Sequence, residues 1–486
     1  MRTENSCSLR HVLAALLMCF GIGAGVPAAN AAATIVISNQ DGPGEGFNDP
    51  TPATPVGSNN GTTLGQQRLI AFQYAANIWG ATLTSSQTIV IRASFDPLTC
   101  TASSGVLGSA GAYNIWRDFP GAPKPDTWYP QALANKISGS NLSADDPVDG
   151  QDIRARFNSR LGLFPDCLPG SPFYLGIDNN HGPLTDLVTV LLHELGHGLG
   201  FQTFTSGATG EQFDGSPSIW DHYLFGANFG LLWKDMTDAQ RAASAISIDK
   251  LVWTGSSVNN ALPGVLTLGT PALVVTGPAA GPAAGSYSVG TAAFGNPLSG
   301  MAVTGQIMPV VDQPNGTGLA CDPLSPANAR AVAGNIALVS RGVCGFVVKV
   351  KNAQNAGAIA VLVADNAPGA PPPGLGGSDP TIVIPAVRIT QADGLTIRAA
   401  LGKRSRTASG VIGSLGLAGS QYQGADALGR MQMFAPNPLQ QGSSVSHFDT
   451  TAFRNQLMEP AINGDLTHAV KMPQDLTFEL FKDIGW

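Results

Sequence analysis

The sequence predicts an α+β protein in which a mixed sheet with helices is interrupted by a β-rich insert. Three observations lead there. The chain of 486 residues is longer than a single core usually fills, so two domains, or one domain carrying an insertion, are expected. Charged residues make up only 12% while Gly and Pro number 59 and 35, a balance that favours loops and strands over helical bundles. With 43% apolar residues the chain carries enough material for a core and is not of the disordered class.

Residues 1–31 read as a secretory signal. Arg2 and Arg10 give a basic start, "VLAALLMCFGI" is an apolar run too short to span a bilayer, and "PAANA" closes on the small-x-small pattern Ala29-Asn30-Ala31. Cleavage there removes a net charge of +1, taking the formal charge from −7 to −8. No later stretch has the roughly 18 uninterrupted apolar residues of a membrane helix. The expectation is an exported protein, extracellular or periplasmic, with no membrane anchor in its mature form. A mildly acidic chain without basic runs argues against a nucleic-acid partner.

Residues 32–261 mix element types. "GQQRLIAFQYAANIWGATL" (65–83) has apolar residues at helical spacing, and "QTIVIRASF" (87–95) alternates as a strand does. "PFYLGID" (172–178) is a second strand candidate. In "GPLTDLVTVLLHELGHGLGF" a helix is expected, with Thr185 as its N-cap and Leu187, Leu191, Leu192 and Leu195 on its apolar face. From 262 to 415 the chain turns Ala/Gly/Val-rich with frequent turn signals, and "IALVS" and "AIAVLVAD" read as buried strands around the helix "FVVKVKNAQNAG". Residues 416–486 return to mixed character.

The chemistry sits in "LLHELGHGLGF" (191–201). Two His four positions apart share one helix face, which is what a zinc ion needs in order to take two imidazoles from the same side. His193 and His197 meet that spacing, and Glu194 occupies the position of a general base. Gly196, Gly198 and Gly200 each cost a helix on the order of 1 kcal/mol relative to Ala. The first two are expected to permit close approach of neighbouring backbone, and Gly200 to end the helix in a left-handed conformation.

A third ligand must come from elsewhere. The short pattern H-E-x-x-H-x-x-G-x-x-H would place it at position 203, which is Thr203. Asp221, His222 and His447 are the candidates. In "SHFD" and "LMEP", His447 is followed by Met458 in a tight turn ahead of Pro460. Together with "HELGHGLGF", these stretches resemble the leishmanolysin-type metzincins, which deliver the third His after an insertion. The resemblance implies a zincin/metzincin-like catalytic domain with an active-site helix. It also implies one catalytic Zn2+ on His193, His197 and His447, Glu194 as base, and Met458 beneath the metal.

Residues 262–415 resemble the protease-associated (PA) domain through "IALVSRGVCGFVVKVKNAQNAGAIAVLVADN" and "TIVIPAVRITQADG". That resemblance implies a non-catalytic insert that contacts substrate or partner. For His197 and His447 to meet on one metal across it, the two ends of residues 262–415 must lie close together. Once the signal is removed, Cys100, Cys167, Cys321 and Cys344 remain, and four cysteines allow three pairings. The domain division favours Cys100 with Cys167 and Cys321 with Cys344. No C-x-x-C pair suggests a thiolate metal site.

The resulting expectation is a secreted zinc metalloendopeptidase acting on protein or peptide substrates. The competing expectation is a non-catalytic exported binding protein that works through the PA-like region and carries a structural metal site. A serine hydrolase is disfavoured because no G-x-S-x-G occurs.

Overall fold

The computed structural model describes residues 32–486 except 103, 145–149, 312–317, 370, 371, 373 and 378. The signal-like segment 1–31 lies outside the described residues. No helix among the described residues is long and apolar enough to cross a membrane. The fold is mixed α+β.

A four-stranded sheet supports the motif. It consists of β1 (Ile35–Asn39), β2 (Ile89–Asp96), β3 (Gly108–Ala112) and β4 (Ile153–Asn158), in the order β1-β2-β4-β3. The first three in that order run parallel, and β3 lies antiparallel to β4 at the edge. In β2 the buried residues alternate with half-buried ones, as the expected period of two requires. Helix α1 (Leu64–Thr82) packs on this sheet, and the Thr63 hydroxyl caps it by accepting from the Gln66 N–H.

The motif helix α2 (Leu187–Leu199) is buried along most of its length. Its cap differs from the expected Thr185. The Asp186 carboxylate accepts from the Thr189 N–H at 2.9 Å, while Thr185 belongs to a two-residue strand with Asp186. Asp186 wins because it stands immediately before the first helical residue, where its oxygen reaches the third amide. The expected strand at 172–178 shrinks to Phe173–Tyr174.

One apolar core joins α1, the four-stranded sheet and α2 to later segments, including Met431, Val445, Phe448, Leu457 and Met458. Helix α3 (Ser256–Val265) contributes Leu262, and helix α4 (Thr477–Ile484) contributes Leu480 and Phe481.

Between them lies an eight-stranded sheet. Strands Val303–Pro309, Ile336–Ser340, Ala360–Ala364 and Ala386–Ile389 run parallel in sequence order. Successive residues of these strands feed opposite faces, so that Leu338 and Leu362 enter one apolar cluster and Val339 and Val361 the other. The strands entering and leaving this region, Leu268–Thr276 and Ile412–Tyr422, pair antiparallel, with Leu268 opposite Tyr422. The chain therefore leaves and re-enters the first core at neighbouring points.

The disulfides are Cys100–Cys167 and Cys321–Cys344, the pairing expected from the sequence. Each closes within its own part of the chain.

Candidate metal centre

His193 and His197 project from α2 four residues apart, and His447 meets them from a loop 250 positions further on. The three Nε2 atoms form a triangle with all sides 3.2 Å. Among the described residues this is the one group of three or more His, Cys, Asp or Glu ligand atoms clustered tightly enough for a metal.

Each imidazole is oriented through its other nitrogen. Nδ1 of His193 lies 2.7 Å from the Leu457 carbonyl, that of His197 2.8 Å from the Phe201 carbonyl, and that of His447 2.7 Å from the Ser443 carbonyl. A carbonyl oxygen only accepts, so each Nδ1 carries the proton and donates it. Burial holds His193 down at about 4. Burial and the neighbouring His193 hold His197 at about 3, and burial, His197 and His193 keep His447 well below its usual value. All three rings are therefore neutral near pH 7, with bare Nε2 lone pairs facing one another. Such an arrangement is repulsive unless a cation sits among them.

Tetrahedral zinc fits this donor set. Imidazole nitrogens about 2.0–2.1 Å from such an ion stand roughly 3.3 Å from one another. Neutral imidazoles locked by Nδ1–H···O=C bonds are also the usual arrangement around zinc.

Glu194 follows His193 on α2 and reaches the edge strand β3, where its Oε2 accepts from the Ala110 N–H at 3.0 Å. Burial raises its pKa to about 7, against the lowering effect of that amide. A carboxyl group near neutrality in a buried site is suited to taking up and releasing a proton.

The glycines of α2 make room for side chains. A Cβ on Gly196 would stand 2.8 Å from the Met458 sulfur, and one on Gly198 would stand 2.4 Å from Ile153 Cγ2. The expected close approach is thus real, but its partners are side chains and not backbone. Gly200 caps the helix with φ +126°, a region L side chains avoid. Ala at either helical position gains propensity and loses packing. Ile153 is β-branched and buried in a central strand, whereas Met458 is unbranched and adaptable. Gly198→Ala should therefore destabilise by about 1–3 kcal/mol in chemical denaturation, and Gly196→Ala by less. The reverse order would show that the fit against β4 is not the tighter one.

The other third-ligand candidates are engaged elsewhere. Asp221 is buried and accepts from the Thr203 and Thr205 hydroxyls at 2.7 and 2.6 Å and from the Ser218 N–H at 2.8 Å. Thr203 in turn donates its N–H to the Ser446 hydroxyl, next to His447, so Asp221 braces the segment that carries this histidine. Nε2 of His222 lies 3.0 Å from the Thr127 hydroxyl. Position 203, where a short motif would carry a ligand, supplies a bracing hydroxyl instead.

Several supporting residues escaped the sequence reading. His468 contacts Asp186, the α2 cap, at 2.7 Å. The indoles of Trp79 and Trp486 donate to the Leu192 and Leu199 carbonyls of α2. Asp186 was legible as an acidic residue ahead of the apolar run. Nothing local signals the other three.

Residues 303–397 match the family model of the PA domain. The match falls on the parallel strands of the second sheet and leaves the three-histidine centre outside it. Over 112 residues the chain is 35% identical to the probable lipoprotein aminopeptidase LpqL of Mycobacterium tuberculosis. That stretch covers 23% of this chain and 20% of the relative, so the likeness spans about a fifth of that protein's length. Among solved structures, a zinc aminopeptidase from Bacillus subtilis is matched at 20% identity with a TM-score of 0.22, over 33% of this chain and 36% of the other. An aminopeptidase from Aneurinibacillus sp. strain AM-1 is matched at 20% identity with a TM-score of 0.24, over 42% of each chain. Scores this low carry no argument about the metal centre.

Proposed function

We propose that this protein is an exported, zinc-dependent endopeptidase of metzincin type, with a PA domain inserted into its catalytic domain. The observation that carries the reading is the convergence of three neutral imidazoles, with Glu194, its carboxyl desolvated by burial, next to His193 on the same helix. Residues 1–31 would be the secretory signal, 32–261 and 416–486 the catalytic domain, and 262–415 the insert. The matched PA domain and the aminopeptidase named among the relatives support a peptidase. Two disulfides support export to an oxidising compartment.

His193, His197 and His447 would hold one zinc ion. When bound, zinc supplies a Lewis acid that polarises a carbonyl and brings the pKa of water near 7. Glu194 Oε1 takes the proton of the attacking water, while Oε2 stays on the Ala110 amide. The same carboxyl then delivers that proton to the leaving amine. Strand β3 stands at the sheet edge beside Glu194, where an extended peptide can pair with its backbone. Met458 fills the space left by Gly196 under the helix. Protein substrates would also reach the PA domain.

The test is hydrolysis of casein and of a synthetic peptide acetylated at its amino terminus. Cleavage of both, abolished by a chelator and restored by zinc, is the expected result. Cleavage of free amino termini alone would make the enzyme an aminopeptidase, as the mycobacterial relative is named. Chelator-resistant cleavage would remove the metal from the reaction.

A further inference from the structure

We infer that Asp475 is a positioning residue for the metal centre, acting through the turn that carries Leu457; this rests on the zinc-site reading above. The Leu457 carbonyl orients His193 by accepting from its Nδ1 at 2.7 Å. It lies in the segment 456–459, whose placement comes from buried side chains.

Asp475 is 3% exposed. Its Oδ2 accepts from the Leu457 N–H at 2.7 Å, and its Oδ1 accepts from the Thr477 N–H at the start of α4 at 2.8 Å. One carboxylate thus joins the turn to the first residue of a helix. A second bond runs the opposite way, with Gln456 Oε1 accepting from the Leu476 N–H at 2.9 Å. Within the turn, Glu459 Oε1 accepts from the Gln456 N–H at 2.6 Å. On the far side the Met458 carbonyl accepts from the Phe448 N–H at 2.8 Å, and Phe448 adjoins His447. The turn therefore sits between two ligands, and Asp475 anchors it to α4. Losing that anchor frees Leu457 to rotate, so that the His193 ring loses its fixed direction. Partners that orient a ligand in this way typically account for about 10- to 100-fold in metal affinity.

The test measures zinc dissociation constants by competition with a chromophoric chelator, alongside thermal unfolding of the metal-free proteins. Asp475→Ser keeps a short acceptor for the Thr477 amide but cannot reach Leu457, and should weaken zinc about 10- to 100-fold. The control is Asp483→Ala. Asp483 lies on α4 itself and accepts hydrogen bonds from the Trp253 indole and the Ser257 and Val258 amides, which are not part of the turn. It should lower the unfolding temperature comparably while leaving zinc affinity within about twofold of the parent, since it orients no ligand. Equal affinity losses in the two variants would reduce Asp475 to a structural residue, and no loss in Asp475→Ser would overturn the inference. If Asp475→Ser does not fold, Asp475→Asn decides. It keeps the volume but has one acceptor oxygen for two amides, so it should bind zinc several-fold more weakly than the parent, and parental affinity would overturn the inference equally. Failure of the parent protein to bind zinc would strike the zinc-site reading and not this step.

Discussion

Glu194→Gln should take up zinc as the parent does and hydrolyse peptides about 10²- to 10⁴-fold more slowly, the loss expected when a general acid/base is removed. Gln keeps the side-chain volume and a carbonyl oxygen for the Ala110 amide, so β3 should stay against α2. What it loses is the capacity to take up the proton. Glu194→Ala should be at least as slow and should also release Ala110. Metal content by elemental analysis and initial rates on the acetylated peptide separate the two effects. Near-parental turnover in a zinc-loaded Glu194→Gln protein would sink the assigned mechanism.

The second large effect is expected at His447. His447→Ala leaves two imidazoles where three converged, so zinc affinity should fall by more than the roughly 100-fold upper range for residues that only orient a ligand. Asp221→Ala and His222→Ala should keep a stoichiometry near one. Asp221 reaches the centre only through Thr203 and Ser446, and His222 is bonded to Thr127. Asp221→Ala should nonetheless cost stability, because it strands the buried Thr205 hydroxyl and the Ser218 amide and takes one partner from the Thr203 hydroxyl. Full zinc content in His447→Ala alongside an empty His222→Ala protein would contradict the ligand set drawn from the geometry.

Much of the centre was legible because it is local. The spacing of His193 and His197 needs only the helical repeat to put both rings on one side, and Glu194 follows from the same geometry. The costly glycines announced that something approaches the helix. The structure identifies Met458 and Ile153 as what approaches. The amphipathic segment at 65–83 and the alternating one at 87–95 became α1 and β2 with ends shifted by one or two residues. The disulfide pairing followed from where the chain changes character.

By itself the sequence determined the helix that bears two imidazoles and a carboxylate, and the β-rich region set between the two parts of the chain. The choice among Asp221, His222 and His447 rested on resemblance, because no periodicity links residues 250 positions apart. Only the tertiary structure brings His447 to the helix, turns Asp221 onto Thr203 and Thr205, and sets the Leu457 carbonyl against His193. Local patterns record which face of an element is apolar. The meeting of distant loops depends on how those faces pack together, and on buried hydrogen bonds such as that of Asp475 to Leu457, for which no short stretch of sequence carries a signal.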